Sequence, residues 1–565
     1  MAHDVLELST VETNARNREE AAPTHPDRRL AKKPWFWAFL SLMALLVVFG
    51  AMFTRVVPMS SDVLRQRIIS TLSSKLDSDV ALGDLTIRVF PGLRADGKDL
   101  RIRRRGTPAD MPGLITVKSF HVDASLMGLW RKHVDHVQLN GLDISIPPKQ
   151  VRVQQKEAKR AADAADTEKK PEATPEEKRN DPLKDGGVVL DRVDTNDARL
   201  IMVPGRPDKA PKIWAIHHLR MHDLGSTQSW PFEATLTNGV PPGEIQVKGG
   251  FGPWDRNEPG DTALDGSFNF EKADLGVFKG ISGTLASHGS FGGTLDQLEA
   301  YGETDTPDFT IKVGGHPFPL HVKYTALIDG TNGDTRLQNI DAWFLSSYVH
   351  AVGAVLDGPK GEKGRTVSLD VAMDKSRIED IMKMTVKAET SPMTGALKLN
   401  TKFLLPPGEG DVVDRLQLDG QFSIAQATFT NYDVQGKIEE LSKRASAKTA
   451  AGTRDHVVSN FQGKFTLANG RLMLPELTFE VPGAKVQLAG GYTLQAEELD
   501  FKGQLLLDAK ISETVTGPKA VLLKVLDPLF KQKDGSGSAI PIKIAGSRSA
   551  PAFGLDTGRL FKKGN

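Results

Sequence analysis

The chain has 565 residues, and its 72 Lys and Arg nearly balance its 71 Asp and Glu, which leaves a formal net charge of +1 at pH 7. This length exceeds one ordinary domain, and a charge so close to zero gives no support to nucleic-acid binding. The absence of cysteine excludes disulfides, thiolate metal sites and cysteine nucleophiles.

Residues 35–53 form an uncharged apolar segment long enough to cross a bilayer. At ~1.5 Å per helical residue it spans roughly 28 Å, which matches the hydrocarbon thickness of a membrane. Trp35, Trp37 and Phe53 stand at its ends, where aromatic side chains favour the membrane interface. We therefore predict a transmembrane helix over 34–54, with these three residues as its membrane anchor.

Basic residues cluster just before this segment, between Arg28 and Lys33, and only Arg55 follows it closely. The positive-inside rule predicts a cytoplasmic, disordered tail over 1–33 and places the rest of the chain in the periplasm, so the protein would be a single-pass inner-membrane protein. The alternative is a cleavable signal peptide. The apolar segment is long for such a peptide, and no small-residue cleavage site follows it.

Residues 58–147 begin with helical spacing and continue with strand spacing. Apolar residues from Val63 to Leu76 recur every three or four positions and predict one amphipathic helix. From Val80 onward they alternate with polar residues, which predicts strands as far as Pro147. Residues 148–186 are charged and almost free of large apolar side chains, so we predict a disordered linker there.

From 187 to the end, short alternating segments recur between glycines and predict an antiparallel meander, which we divide into 187–385 and 386–565. Asn469-Gly470 predicts a hairpin turn. Amphipathic patterns predict two helices, at about 434–448 and 517–531. We predict that four tryptophans pack in the core, and the alternative is that they line a groove wall: Trp214, Trp230, Trp254 and Trp343.

A sheet with one apolar face must bury that face, and two arrangements achieve this. A second sheet can cover it in a compact sandwich, or a long meander can curl into an elongated groove whose inner wall stays apolar. Alternation alone does not decide between them. In a groove, the following side chains would contact lipid acyl chains, and in a sandwich they would pack against a covering element: Phe465, Leu467, Leu477, Phe479, Val486, Leu488, Leu499 and Phe501.

Stretches at both ends of the exported part resemble the AsmA-like family of envelope proteins. The family's opening pattern of helix, strand, Pro-containing turn and strand is similar to SSDVLRQRIISTLSSKLDSDVALGDLTIRVFPGLRADGKDLRIR. Its continuation of strand, short Leu-Trp helix and strand is similar to LITVKSFHVDASLMGLWRKHVDHVQLNGLDISI. Its C-terminal region resembles NFQGKFTLANGRLMLPELTFEVPGAKVQLAGGYTLQAEELDFKGQLLL.

The resemblance implies a chorein-like unit over 58–147 and a β-groove that carries lipids between envelope membranes, with no active site. Phospholipid and the inner membrane would be the partners. The charged linker departs from the pattern of a continuous groove, and the sequence leaves open whether the groove continues across it. The resemblance therefore favours a mainly β fold with one N-terminal transmembrane helix, a long antiparallel β-meander curled into an elongated groove, and a few short amphipathic helices.

No motif for a catalytic or metal site is present. The nucleophile elbow, the zinc-protease helix, the phosphate-binding loop and the paired carboxylates of glycan hydrolysis are all missing, so we predict no enzyme, cofactor or metal. His218 and His222 would share a face of a strand but lie too far apart for one ion.

We expect a protein that holds phospholipid acyl chains in an apolar groove and aids phospholipid transport or homeostasis between envelope membranes. The alternative is a scaffold or assembly factor for outer-membrane protein biogenesis. Such a factor would contact outer-membrane or other envelope proteins through exposed strand edges.

Overall fold

The computed structural model describes residues 78–556, apart from 89–91, 105–112, 149–187, 206–209, 227, 254–260, 360, 363, 431, 446–456, 515–526, 528–529, 533–536 and 549, together with a few positions between 62 and 73. The segment 34–54 with Trp35, Trp37 and Phe53 lies outside the described residues, as do Trp254 and nearly all of 148–186 and 517–531. Within the described part, no helix has the length and apolarity needed to cross a bilayer.

The described chain is mainly β, with few and short helices. The strands are β1 (Ser78–Ala81), β2 (Leu85–Arg88), β3 (Leu93–Arg104), β4 (Ile115–Ala124), β5 (His133–Val134), β6 (His136–Ile146), β7 (Val189–Met202), β8 (Lys212–Leu224), β9 (Trp230–Asn238), β10 (Gly243–Phe251), β11 (Ala263–Asp274), β12 (Ile281–Ser282), β13 (Thr284–Thr294), β14 (Gln297–Ile311), β15 (Phe318–Ile328), β16 (Thr335–Phe344), β17 (Ser347–Asp357), β18 (Arg365–Arg377), β19 (Met393–Leu405), β20 (Gln417–Phe429), β21 (Ser459–Ala468), β22 (Arg471–Val481), β23 (Ala484–Thr493), β24 (Glu498–Leu507), β25 (Ser538–Ser547) and β26 (Ala550–Leu555). The α-helices are α1 (Leu126–Trp130), α2 (Ile378–Thr385), α3 (Val412–Arg415) and α4 (Tyr432–Ala445), and two 3-10 turns lie at Leu275–Val277 and Ile511–Glu513.

The long strands pair in chain order into one sheet, which curls into a half-barrel. Among the described strands, all neighbour pairs are antiparallel except those that β7 makes with β5 and β6. The predicted antiparallel meander is therefore confirmed, as are the Asn469-Gly470 hairpin between β21 and β22 and the helix near 434–448, which is α4. The short helix α1 lies where the resemblance implied a Leu-Trp helix.

The parallel pair β6–β7 explains the charged linker. Val137 lies opposite Val193 and Ile146 opposite Met202, so the two strands run side by side in the same direction. Parallel strands cannot be joined by a hairpin, and the chain must return to the start of β6 before β7 begins. The linker occupies the position of that return connection. The sheet itself continues directly from β6 to β7.

A carboxylate on the polar face ties this junction together. Asp194 of β7 accepts hydrogen bonds from Arg220 Nε of β8 at 2.8 Å, from Arg192 Nε at 2.5 Å and from His136 Nε2 of β6 at 3.0 Å. Its side chain is only 8% exposed. Burial alone would raise the pKa of Asp194, but the hydrogen bonds from Arg220, Arg192 and His136 outweigh it and lower the pKa to about 2.

Glycines pair with each other in the middle of neighbouring strands. Gly249 of β10 lies opposite Gly266 of β11, and Gly289 of β13 lies opposite Gly302 of β14. A Cβ atom on Gly289 would lie 2.1 Å from the Tyr301 carbonyl oxygen, so the backbones approach too closely for a side chain. Mid-strand glycines of this kind allow a sheet to bend, and we attribute part of the curl to them.

The glycine pairs predict a sharp difference between two positions of β13. Gly289→Val should lower the free energy of unfolding by about 1–3 kcal/mol, because its side chain overlaps the β14 backbone. Gly292→Val should change it by less than about 0.5 kcal/mol, because a Cβ there meets nothing within 4 Å. Urea unfolding followed by circular dichroism measures both, and equal losses would contradict the proposed close approach.

The Asp194 cluster predicts a pH-dependent contribution to stability. Its folded pKa of about 2 lies below the ordinary value of 3.8, so the stabilisation is complete above about pH 4 and is lost as the pH falls through about 2. Asp194→Asn should therefore lower the free energy of unfolding by about 2 kcal/mol near neutral pH and by progressively less below pH ~4. Denaturant unfolding between pH 2 and 7 measures this, and a difference independent of pH would refute the assignment.

Candidate functional site

The predicted groove residues of the last strands lie on one face of the sheet. Leu477 of β22 is directly opposite Leu488 of β23, and Phe479 is opposite Val486. Directly opposed residues in an antiparallel pair point to the same side of a sheet. These four side chains therefore form one apolar patch.

The other four predicted residues join the same face. Phe501 and Leu499 of β24 are opposite Gly490 and Tyr492 of β23. These two β23 residues lie on the same face of the strand as Leu488 and Val486, because they are separated from them by even numbers of residues. On the other flank, Phe465 and Leu467 of β21 alternate in step with Gly463, which is opposite Leu477. All eight residues are buried or half-buried, whereas Lys464, Lys502 and Gln504, which alternate with them, are exposed.

The same register carries this apolar face across the sheet. Each pair of opposed residues transfers the face to the next strand, so it can be followed from the C-terminal end back to β8. Representative opposed pairs along it are Leu399–Phe422, Leu369–Phe403, Val322–Ala342, Leu298–Ile328, Val247–Phe268, Trp230–Phe251 and Leu219–Ala234. Since these side chains are less exposed than the polar ones between them, the apolar face is the concave face of the curl.

The concave face is filled at one end and partly open along the rest. Around β1 to β9, Leu93, Leu100 and Ile102 are each 1% exposed and belong to a packed core that also holds Trp230. Beyond β9 most of the apolar side chains on this face stay half-buried among the described residues. They include Val247, Phe268, Val322, Ile340, Leu369, Leu477, Phe479, Leu488 and Leu499.

The strand ends form two rims. Rim A carries α2, α4 and the β9–β10, β14–β15 and β16–β17 turns, and rim B carries α1, α3 and the β13–β14, β15–β16 and β21–β22 turns. Helices pack onto the apolar face along rim A. In α2, Ile378, Ile381 and Met382 pack against a cluster that contains Phe318 and Met373.

Helix α4 covers the same rim farther along the chain. Its Ile438 packs in a cluster with Val481 and Leu507, and Ser442 Oγ donates a hydrogen bond to the Pro482 carbonyl oxygen at 2.8 Å. The concave face is therefore narrowed from rim A by two helices of the chain itself. Rim B in this region carries short turns and the single-turn helix α3.

The two rims also contact each other. Val412 N at the start of α3 on rim B donates a hydrogen bond to the Lys279 carbonyl oxygen on rim A at 2.9 Å. Lys212 Nζ at the rim A end of β8 donates to the Asn332 carbonyl oxygen in the β15–β16 turn of rim B at 2.5 Å. The curl of the sheet therefore brings the opposite rims into contact at these two places. We call these two contacts the rim bridges.

The convex face carries polar clusters and exposed aromatic groups, among them Tyr301 and Trp343. Hydrogen bonds from Tyr348, Asn339 and His350 lower the pKa of Asp341 to about 2. Trp343 is 39% exposed and lies between the rings of His321 and Tyr348. The prediction that Trp343 lies in the core is wrong, because its position in β16 alternates out of the apolar face.

The other tryptophans and the histidines follow from the register. Trp230 is 1% exposed in the core, as predicted, and Trp214 is half-buried on the apolar face. His217 and His218 contact Thr237 Oγ1 and Asn196 Oδ1, at 2.6 and 3.2 Å. Across the described residues, no group of three or more His, Asp or Glu side chains could hold a metal ion.

Comparisons with known proteins give no match for this chain. No protein-family model, no curated protein and no solved structure matches it. The assignment of a function therefore depends on the concave face and the rims.

The rim bridges predict that two distant positions can be cross-linked. The chain has no cysteine of its own, so Lys279→Cys with Val412→Cys places the only two thiols on opposite rims. A short bis-maleimide should join them within one chain, and protease digestion followed by mass spectrometry should recover the linked peptides. The control pair, Lys279→Cys with Gly554→Cys in β26, should stay unlinked. Equal linkage of both pairs, or none in the first, would contradict the rim bridges.

Proposed function

We propose that this protein is anchored in the inner membrane and holds phospholipid acyl chains against its concave face, where it aids phospholipid transport or homeostasis between envelope membranes. The observation that carries the proposal is the continuous apolar face, most of whose side chains stay only half-buried beyond β9. A soluble β protein ordinarily covers such a face with a second sheet. Here, among the described residues, α2 and α4 cover only the rim A end of it.

The energetics favour an acyl chain as the occupant. Removal of apolar surface from water stabilises by about 25 cal/mol per Å², or about 0.8 kcal/mol per methylene group. A phospholipid with two long chains therefore crosses water very slowly by itself. A wall of Leu, Val and Phe side chains lowers that barrier without any bond-making step.

We place the acyl-chain track beyond β9. The apolar cluster around β1 to β9 is filled by its own side chains, with Leu100 and Val122 almost inaccessible, so it leaves no room for an acyl chain among them. The predicted transmembrane helix over 34–54, with Trp35, Trp37 and Phe53 at its ends, would hold this cluster at the inner membrane and leave the track in the periplasm.

The runner-up function is assembly of outer-membrane proteins, and one observation favours it. Strand β26 pairs with β25 and, within the described part, with no other strand, and all six of its residues are exposed. An unpaired strand edge is a template for an added strand from another protein. A scaffold that bound its clients there would use the edge of the sheet, whereas a lipid carrier would use its face.

The lipid proposal predicts a strict alternation of cross-linking along β23. The photo-reactive residue p-benzoylphenylalanine, placed at Leu488 on the apolar face, should capture phospholipid in cells, because its side chain points into the track. The same residue at the adjacent Ala489, which is exposed on the opposite face, should capture little. Mass spectrometry of the purified adducts measures both.

A second pair of positions, Val322 and Lys323 in β15, repeats the comparison near the middle of the sheet. Capture of lipid at Leu488 and Val322 supports a track that extends over many strands. Equal capture at all four positions would refute it. Protein adducts at Phe553 of β26, with no lipid at Leu488, would favour the assembly factor.

A further inference from the structure

Helix α1 presents an unusual set of side chains to solvent. Leu126 is 54% exposed, Met127 is 61% exposed and Trp130 is 83% exposed. The remaining large apolar side chain of the helix, Leu129, packs against the core of β1 to β9. One helical turn therefore fixes the segment to the fold and directs three large apolar groups outward.

The surrounding hydrogen bonds hold this turn in place. Ser125 Oγ caps the helix by accepting from Gly128 N at 3.0 Å, and Asp135 Oδ2 accepts from Ser125 N at 2.6 Å. At the other end, the Lys132 carbonyl oxygen accepts from Val189 N of β7 at 3.0 Å. The exposure of the apolar groups is thus built into a braced element and is not the result of a frayed end.

Such a patch is costly in water. Burial of apolar surface stabilises by about 25 cal/mol per Å², and this stabilisation is lost while the surface stays in water. Clustered exposed apolar groups on a soluble protein therefore mark a contact site. The core directly beneath α1 is already filled, since Val134 and Val137 are at most 1% exposed. These three side chains therefore have no place inside this unit, and their partner lies outside it.

The charges next to the patch identify the kind of partner. Arg131 and Lys132 directly follow Trp130, and both are exposed. Two carboxylates of the same unit are engaged within the fold: Asp135 accepts a hydrogen bond from Ser125 N, and Asp191 contacts His133 Nδ1 at 2.5 Å. A Trp with apolar neighbours and adjacent basic groups suits the interface of an anionic bilayer, where the rings lie at headgroup level and the cations meet phosphate.

We propose that α1 inserts Leu126, Met127 and Trp130 into the surface of an anionic lipid bilayer, with Arg131 on its headgroups. This contact does not depend on the acyl-chain track. It rests only on the proposed location at a membrane, and it adds a second point of attachment besides the predicted transmembrane helix. Two attachment points fix the orientation of β3 to β7 relative to the bilayer.

The absence of native cysteine makes a direct test simple. Met127→Cys and Trp130→Cys are each labelled with the fluorophore NBD in the full chain, which is reconstituted into vesicles of phosphatidylethanolamine with a quarter phosphatidylglycerol. The matched control is Val240→Cys in the β9–β10 turn on rim A, where the native side chain is 68% exposed. Lipids with a doxyl group just below the headgroup report insertion, and aqueous iodide reports exposure to water.

We expect doxyl lipid to quench the labels at 127 and 130 at least roughly twofold more than the label at 240, and iodide to show the reverse order. Arg131→Glu should weaken the doxyl quenching at 127, because a like charge then faces the headgroups.

Three results would overturn the proposal. They are equal iodide quenching at all three labels, labels at 127 and 130 shielded from both quenchers as in a protein contact, and doxyl quenching unchanged by Arg131→Glu. Failure of the chain to float with vesicles would overturn the proposed anchor as well. Loss of lipid cross-linking at Leu488, with insertion intact, would affect only the proposed track.

Discussion

The structure depends on one constraint: a single sheet with one apolar face has no second sheet to cover it. Every strand pair transfers that face to the next strand by register, and a shift of one residue anywhere would move the following strands' apolar side chains to the wrong side. Curling is the remaining way to limit the exposure of such a face. The glycine pairs Gly249–Gly266 and Gly289–Gly302, the covering helices of rim A and the rim bridges all serve this curl.

The sequence predicted the strands and their apolar face well, because alternation is a local property that each segment displays by itself. All eight predicted groove residues share one face, from Phe465 to Phe501. Trp343 shows the limit of this reasoning. Its residue type indicated the core, but its place in the alternation of β16 puts it on the convex face, and the register was the better guide.

Most long-range features were not predictable from the sequence. The parallel pair β6–β7 could have been suspected, since only a parallel pair needs a return connection as long as the charged linker. The three donors around Asp194 are spread over β6, β7 and β8, and no local spacing reveals them. Helix α2 is short, and its three apolar residues Ile378, Ile381 and Met382 are too few to distinguish a helix from the end of a strand. The contact of Val412 with Lys279 depends on the curl of the whole sheet.

The rim bridges have a consequence for what could move along the concave face. In the proposed function, a lipid whose tails lie on the concave face would keep its headgroup between the rims, where the Val412–Lys279 contact would lie in its path. One backbone hydrogen bond contributes only about 1 kcal/mol net, far less than the cost of exposing two acyl tails to water. If the proposed function holds, this hydrogen bond would open for a compact phosphate headgroup and would obstruct a bulky oligosaccharide. The gap between the rims would thus select lipids by the size of their headgroups.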